Sequence, residues 1–239
     1  MSTYSSYREV FPKKHTLLVV VHVADANQAL SQVNIARRAG ADGAFLINHD
    51  EEKVPALALS RIYQSIRKVH PDWWLGLNFL DLNYFQAFAR VPENASGLWT
   101  DDAGLDESLS DTAANTRVAW KFRQNGKRNW PGLYFGGVAF KYQREVTDYM
   151  AMVRAAKPYM DVVTTSGPAT GEPPAVEKIR AMHEALGDHP LAIASGITPE
   201  NVGQYLGLTD CFLVATGVSK DFHELDEKKV KVLAAKIRV

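Results

Sequence analysis

The sequence contains one cysteine, no long apolar run and no excess of charge of either sign. Because Cys211 has no partner cysteine, an internal disulfide framework is excluded, and its place at the start of an apolar run favours a core position. No apolar run reaches the roughly 18 residues of a membrane-spanning helix. The polar segment 1–14 lacks the apolar centre of a signal peptide. We therefore expect a protein of a reducing, cytoplasmic compartment, without an integral membrane segment.

The balance of charges argues against a nucleic acid polymer as partner. The chain has 27 Lys and Arg residues and 27 Asp and Glu residues, so its formal net charge is zero. Nucleic-acid-binding domains usually concentrate positive charge on one face. The densest basic run, 228–231, lies in the last helical segment and is most simply the solvated face of that helix.

Short apolar runs alternate with segments of helical periodicity along all 239 residues, and glycine or proline separates many of them. This pattern predicts eight strand–helix units. The predicted strands cover 17–23, 43–48, 73–80, 98–101, 133–140, 162–165, 191–194 and 211–215. The predicted helices cover 26–39, 54–69, 82–90, 112–124, 146–156, 175–186, a segment that Pro199 opens, and 226–237.

Strict alternation of strands and helices predicts a parallel sheet, because each parallel return needs a crossover of about a dozen residues. A count of eight favours a closed barrel over an open doubly wound sheet, and no Gly-x-Gly-x-x-Gly follows the first strand. The predicted fold is therefore α/β, a single (β/α)8 TIM barrel of the ribulose-phosphate-binding type over residues 1–239. Residues 1–14 form an N-terminal extension in this interpretation.

Polar side chains recur where the predicted strands end, which is where TIM barrels carry their active sites. We expect the side chains at these ends to converge on one mouth. The candidate catalytic residues are His22, Asp101, Lys141 and Glu172. The candidate substrate-binding residues are Asn48, Asn78, Thr165, Ser166 and Thr170.

The loops after the seventh and eighth strands predict a phosphate site. Gly196 permits close approach of a ligand to the backbone, and amides at the helix start by Pro199 would face an anion. Gly217 supplies a second set of main-chain donors. The alternative is that Thr198, Pro199 and Glu200 are only a helix cap. The candidate phosphate-binding residues are Ser195, Gly196, Ile197, Thr198, Thr216, Gly217 and Val218, and the expected partner is a phosphorylated small molecule.

The loops after strands 6 to 8 resemble the BtpA family of TIM barrels, most strongly over 161–221. The residues that carry the resemblance are Ser166-Gly167 with 169–174, then 195–202, and 217–221. The chain departs from the family after His22, where Val23-Ala24-Asp25 replaces a loop rich in Pro, Leu and Gly, and the fourth and fifth units match poorly. The resemblance implies a (β/α)8 barrel with a phosphate site and nucleosidase-like or sugar-phosphate chemistry.

Two functions remain open at this point. An enzyme could hydrolyse a glycosidic bond with Asp101 and Glu172 as carboxylates, isomerise a sugar phosphate by acid–base catalysis, or use a desolvated Lys141 for Schiff-base chemistry. Alternatively, the chain is a non-catalytic assembly or biogenesis factor that retains its ligand site, as the family's link to photosystem I biogenesis suggests. Lys141 would then form a salt bridge with Asp101 or Asp102.

No cofactor is predicted, and no compact metal-ligand motif occurs. Four residues near the predicted ends of strands 1 and 2 are a lesser, alternative metal site: His22, Asp25, His49 and Asp50. A homo-oligomer is left open.

Overall fold

Eight parallel strands close into a barrel in chain order, which confirms the predicted TIM barrel. The computed structural model describes residues 6–49, 54–105, 130–143 and 145–238. Each strand pairs with the next, and the first pairs with the eighth to complete the ring. The strands are β1 (Thr16–His22), β2 (Gly43–Ile47), β3 (Trp74–Asn78), β4 (Gly97–Thr100), β5 (Leu133–Gly137), β6 (Val162–Ser166), β7 (Leu191–Ala194) and β8 (Cys211–Val214).

Helices follow most of the strands and cover the outside of the barrel. They are α1 (Tyr7–Val10), α2 (Ala26–Arg38), α3 (Ala56–Val69), α4 (Tyr84–Arg90), α5 (Tyr149–Ala156), α6 (Val176–Leu186) and α7 (Glu227–Lys236). Among the described residues, no helix is both long and apolar enough to cross a bilayer. The helix predicted over 112–124 lies outside the described residues.

The predicted helix at Pro199 is wrong, because only a short 3₁₀ helix, Val202–Gln204, lies between β7 and β8. Side chains take up the main-chain groups that would begin an α-helix. The Thr198 amide donates to Asn201 Oδ1 at 2.9 Å, and Asn201 Nδ2 donates to the Gly196 carbonyl at 2.7 Å. Thr198 Oγ1 in turn accepts the amides of Glu200 and Asn201, so the segment has the cap of a helix, but the chain continues with i to i+3 bonds into the 3₁₀ turn. Gly207, at φ +89°, then turns the chain toward β8.

Strand β5 is shorter than predicted, because it ends at Gly137 rather than at residue 140. The main chain leaves the extended conformation at Ala139, whose φ is +49°. Because few non-glycine residues adopt a positive φ, alternation of residue types does not show this turn. The turn directs the residues that follow it across the mouth of the barrel.

The interior of the barrel is filled largely by aromatic side chains. Phe45 packs edge-on against Trp74 at 5.0 Å between ring centroids and against Phe135 at 5.2 Å. Gly76 and Gly97 make room for them, since a Cβ at either position would lie within 3.0 Å of the Trp74 ring. The barrel is therefore a packed core and not a pore.

The N-terminal segment closes the end of the barrel opposite the mouth. Phe11, just after α1, packs against Trp74 at 5.4 Å between ring centroids. The Tyr7 hydroxyl donates to Thr16 Oγ1 at 2.8 Å and lies 3.0 Å from the carbonyl of Asp210. The open end of the barrel is therefore the one at the carboxyl ends of the strands.

Candidate functional site

A cavity of about 180 Å³ lies at the carboxyl ends of the strands, and we call it the mouth cavity. All eight strands, or the loops that follow them, contribute to its wall. Apolar side chains from inside the barrel form its floor, and polar side chains from the loops form its rim. It is lined by Val20, His22, Ile47, His49, Leu80, Trp99, Asp101, Lys141, Tyr142, Thr170, Gly171, Ala194, Ser195, Leu213, Ala215 and Thr216.

His22, at the end of β1, is a buried and neutral histidine. Its Nδ1 lies 2.9 Å from the Phe222 carbonyl, and its ring stacks on the Phe222 ring at 4.1 Å with 9° between planes. Because a carbonyl only accepts, Nδ1 carries the proton and Nε2 keeps its lone pair. Burial lowers the pKa of His22 to about 4. This histidine can therefore accept a proton through Nε2 at neutral pH.

Asp101 follows β4 directly, and Asn78 at the end of β3 orients its carboxyl group. Asn78 Nδ2 donates to Asp101 Oδ1 at 2.9 Å, while Gln143 Nε2 donates to the Asp101 carbonyl at 2.8 Å. Burial raises the pKa of Asp101 above its usual range, although the Asn78 hydrogen bond and the charge of Lys141 oppose this shift. Asp101 therefore keeps its proton to a higher pH than an exposed aspartate does.

Lys141 projects into the mouth cavity from the loop after β5. Its main-chain amide donates to Ser166 Oγ at 2.7 Å, and its Nζ donates to Thr170 Oγ1 at 3.1 Å. In the described part of the chain, no ion pair joins Lys141 to Asp101 or Asp102, so the alternative salt bridge is not formed. The structure brings Lys141 and Thr170 together on the rim.

Four of the five proposed substrate-binding residues, Asn48, Asn78, Thr165 and Ser166, are buried and do not line the mouth cavity. Asn48 Nδ2 donates to Asp81 Oδ1 at 2.7 Å, and its Oδ1 accepts the Leu80 amide at 2.9 Å. Thr165 Oγ1 donates to the Ala139 carbonyl at 3.2 Å, and Ser166 Oγ donates to the neighbouring carbonyl of residue 167 at 2.8 Å. Their hydrogen bonds hold the ends of the strands in place, and Ser166 also lines a larger cavity beside the loops after β5 and β6.

The loop after β7 lies underneath the loop after β6. A Cβ at Gly196, whose φ is +70°, would overlap the main chain of Glu172 and Pro173. Gly196 and Ile197 are buried and do not line the mouth cavity, and the Thr198 amide is capped by a side chain. The glycine is thus needed for close contact between two loops. Of the four predicted phosphate-binding residues here, only Ser195 reaches the cavity wall.

The loop after β8 shows the same arrangement. Thr216 lines the mouth cavity, whereas a Cβ at Gly217 would overlap the carbonyl of Ile197, and Val218 is fully buried. The side chain of Glu172 is exposed and absent from the cavity wall, while its main-chain carbonyl accepts the Ser195 hydroxyl at 3.3 Å. The structure therefore does not bring Glu172 together with Asp101.

Among the wall residues that were not predicted as site residues, His49, Trp99, Tyr142 and Gly171 lie with the apolar residues Val20, Ile47, Leu80, Ala194, Leu213 and Ala215. His49 lies 5.4 Å from His22 between ring centroids and was considered only as a metal ligand. Asp25 instead caps α2 by accepting the Asn27 amide at 2.8 Å. Within the described ranges, no group of three His, Cys, Asp or Glu residues is arranged to hold a metal ion. Residue 50 lies outside those ranges.

The model of the BtpA family matches residues 138–238 of this chain. The predicted resemblance is therefore confirmed, and the matched segment begins just after β5 and ends just after α7. It covers the loops after β5 to β8 and omits the strands that carry His22 and Asp101. The comparison with curated proteins gave no match.

Solved structures similar to this chain are TIM-barrel enzymes, and their low identities support the fold alone. Phosphoribosyl anthranilate isomerase from Thermus thermophilus is 16% identical with a TM-score of 0.59, over 92% of this chain and 97% of that one. Orotidine 5′-monophosphate decarboxylase from Methanocaldococcus jannaschii, complexed with the inhibitor BMP, is 12% identical with a TM-score of 0.68, over 95% and 100%. Tryptophan synthase from Mycobacterium tuberculosis is 14% identical with a TM-score of 0.58, over 95% and 93%.

Proposed function

We propose that this chain is an enzyme that binds a phosphorylated sugar in the mouth cavity and acts on it by acid–base catalysis. In this proposal Asp101 is the general acid and His22 Nε2 is the general base. The observation that carries it is that burial shifts the two groups' pKa values in opposite directions on the wall of one cavity. Such pairs of groups usually mark the acid and the base of an active site.

The pair suits two reactions of the predicted classes. In an isomerisation, His22 Nε2 would take the proton from the carbon beside a carbonyl, while Asp101 donates its proton to the carbonyl oxygen, giving an enediol. In hydrolysis of a glycosidic bond, Asp101 would protonate the leaving group and His22 would take a proton from the attacking water. The two-carboxylate mechanism is less well supported, because Glu172 does not line the cavity.

The phosphate would lie on the side of the mouth cavity formed by β5 to β8. Lys141 supplies a cation there, and Thr170, Ser195 and Thr216 supply hydroxyl groups. The family match covers this side, and two of the structural neighbours are named for phosphorylated ribosides. The 180 Å³ volume is below the roughly 300 Å³ of a drug-sized pocket, which suits a compact sugar phosphate.

The test measures binding and proton transfer separately. Calorimetric titration with ribose 5-phosphate and ribulose 5-phosphate gives the affinity, and NMR in deuterated water follows exchange of hydrogen at the carbons of the sugar. We expect the wild type to bind and to exchange, His22→Gln and Asp101→Asn to bind without exchanging, and Lys141→Met to lose affinity. Absence of binding by the wild type would overturn the proposal.

A non-catalytic ligand-holding barrel is the second candidate. The observation that favours it is that the family match omits the strands of His22 and Asp101 and covers the half that holds Lys141 and Thr170. In that case the wild type would bind the sugar phosphate and catalyse no exchange or turnover, and His22→Gln would behave like the wild type in both assays.

A further inference from the structure

A second and larger cavity adjoins the mouth cavity, and we call it the side cavity. Its volume is about 510 Å³, and it lies beside the loops after β5 and β6 and the first turns of α5 and α6. Tyr149, Ala175 and Lys178 lie on its wall. Lys141 and Tyr142 line both cavities. One ligand can therefore place a different part of its structure in each cavity, on either side of these two residues.

Tyr142 presents an aromatic ring at the junction of the two cavities. The residue is 80% exposed, and its φ of +62° is an outlier for a bulky side chain. Its hydroxyl lies 3.4 Å from Thr170 Oγ1 and its ring centroid 5.9 Å from Lys141 Nζ. Strained backbone of this kind often occurs at ligand-binding sites. An exposed ring in this place offers a face on which a planar group can stack.

Lys178 places a hydrogen-bond donor on the wall of the side cavity. Its Nζ donates to the Ala139 carbonyl at 2.6 Å and to the Ser166 carbonyl at 2.8 Å, and it lies 5.4 Å from the centroid of the Tyr149 ring. No carboxylate in the described residues forms an ion pair with it. Burial lowers the pKa of this amine to about 8, so it is mostly charged at neutral pH. A cation beside the Tyr149 ring suits a planar group that accepts hydrogen bonds.

We propose that the side cavity is a second subsite of the same active site and holds a planar substituent of the sugar phosphate. This inference rests on the proposed function of the mouth cavity. It extends the substrate class from a sugar phosphate to a phosphorylated N-glycoside, such as a nucleoside 5′-monophosphate, which should bind more tightly than the free sugar phosphate. The mouth cavity takes the phosphorylated sugar, and the larger side cavity takes the base, with Tyr142 against its face and Lys178 toward its acceptor atoms.

The experiment compares ligands that differ only in the base. Ribose 5-phosphate, adenosine 5′-monophosphate and uridine 5′-monophosphate are titrated calorimetrically into the wild type and three variants. Ala175→Trp fills the side cavity from an exposed position, Tyr142→Ala removes the ring, and Tyr142→Phe keeps it. Melting temperatures check that each variant is folded.

We expect at least one nucleotide to bind the wild type about tenfold more tightly than ribose 5-phosphate, because stacking of a base adds roughly this much. Ala175→Trp and Tyr142→Ala should remove that gain, whereas Tyr142→Phe should keep it. Ribose 5-phosphate should bind the wild type and Ala175→Trp within about twofold, because Ala175 lines the side cavity and not the mouth cavity.

The outcomes separate this inference from the proposal on which it rests. If ribose 5-phosphate binds but neither nucleotide binds more tightly, the side cavity is not a subsite and the proposed function stands. If a nucleotide binds more tightly and Ala175→Trp does not weaken it, the base lies elsewhere and the inference is equally wrong. If the wild type binds none of the three ligands, the proposed function fails and this inference fails with it.

Discussion

The two halves of the mouth differ in how the structure holds their functional side chains. In the first half, formed by β1 to β4, main-chain or amide groups orient the titratable residues, as the Phe222 carbonyl does for His22 and Asn78 does for Asp101. In the second half, formed by β5 to β8, the backbone itself is unusual. The non-glycine residues with positive φ in the described part of the chain all lie there, namely Ala139, Tyr142 and Ser195.

This difference suggests that the first half is suited to proton transfer and the second half to ligand binding. Buried side chains with fixed hydrogen bonds suit proton transfer, which depends on orientation and on shifted pKa values. Strained loops that expose side chains suit ligand binding. The family match begins at residue 138 and so covers the second half alone. The proposed ligand-binding residues of β5 to β8 therefore lie in the matched segment, whereas the proposed acid–base residues His22 and Asp101 lie outside it.

The largest effect expected in the first half comes from Asp101→Asn. The variant keeps the hydrogen bond from Asn78 only by rotating its amide, and it loses the transferable proton. We expect the turnover or exchange rate to fall by about 10²- to 10⁴-fold, because this is the usual contribution of a general acid. The dissociation constant of ribose 5-phosphate should change by less than about threefold. If the affinity fell by as much as the rate, Asp101 would be a ligand-binding residue, and the proposed difference between the two halves would be wrong.

The corresponding change in the second half is Gly196→Ala. The added Cβ would overlap the main chain of the β6 loop at a φ of +70°, so the β6 and β7 loops must separate. We expect a loss of about 2–4 kcal/mol in the free energy of unfolding, measured with urea, and weaker ligand binding. Gly203→Ala is the matched control, because its Cβ meets no atom within 4 Å, and it should change stability by less than about 0.5 kcal/mol. Equal stabilities would refute the close packing of the loops.

The comparison of these glycines also shows where sequence reasoning succeeds and where it stops. The periodicity of apolar residues located all eight strands, because one face of each strand must be buried. The structure then shows that Trp74 lies inside the barrel and that Trp73 packs against the outer core. A glycine in a loop shows only that something comes close to the backbone. At Gly196 and Gly217 the atoms closest to an added Cβ belong to another loop, and the sequence contains no information about which neighbour it would be.

The same limit applies to polar residues at the ends of strands. Asn48 and Asn78 could be predicted to lie at the mouth, yet both bind aspartates that follow the next strand, because β3 and β4 bring Asp81 and Asp101 within reach. Asp101 and Lys141 reach the cavity as predicted. Glu172 does not, since its loop folds down against Gly196 and leaves the carboxylate exposed. Whether a polar residue at the end of a strand faces the cavity therefore depends on the hydrogen-bonding partners that the neighbouring strands and loops bring close to it.

The pH dependence of the rate should report the first half of the mouth. His22 must be unprotonated, so the rate should fall as pH drops through about 4. Asp101 must be protonated, so the rate should also fall as pH rises through the pKa of Asp101, which burial holds above its usual range. Beyond each limit the fall is about tenfold per pH unit. A rate that increases steadily up to pH 9 would contradict the assignment of the acid.

On the side of the second half, Lys178 should make the stability of the protein depend on pH, whereas His22 and Asp101 make the rate depend on pH. Its pKa is about 8 in the folded chain and near the ordinary value of 10.5 when unfolded, so the unfolded chain binds more protons between these values. Burial of the charged amine therefore destabilises the fold most below about pH 8, and the free energy of unfolding should rise between about pH 8 and pH 10.5 as the amine loses its proton. Urea titrations at several pH values should show that the free energy of unfolding changes with pH by different amounts in the wild type and in Lys178→Met across this window. Parallel curves would show that Lys178 is not desolvated.

The smallest effect concerns the cover over His22. Phe222 is 40% exposed, yet its ring lies flat on the imidazole and excludes water from one face. Phe222→Ala removes the ring and leaves the main-chain carbonyl that fixes the proton on Nδ1, so hydration should raise the pKa of His22 toward its ordinary value. NMR titration of the His22 ring proton should show this rise, and the acidic limit of the rate should move with it. Phe222→Leu keeps an apolar side chain over the His22 ring. It should therefore change the pKa of His22 and the acidic limit of the rate by less than Phe222→Ala does. If the rate limit moves and the NMR pKa does not, the group that must be unprotonated is another residue, and His49 is the nearest other imidazole on the cavity wall.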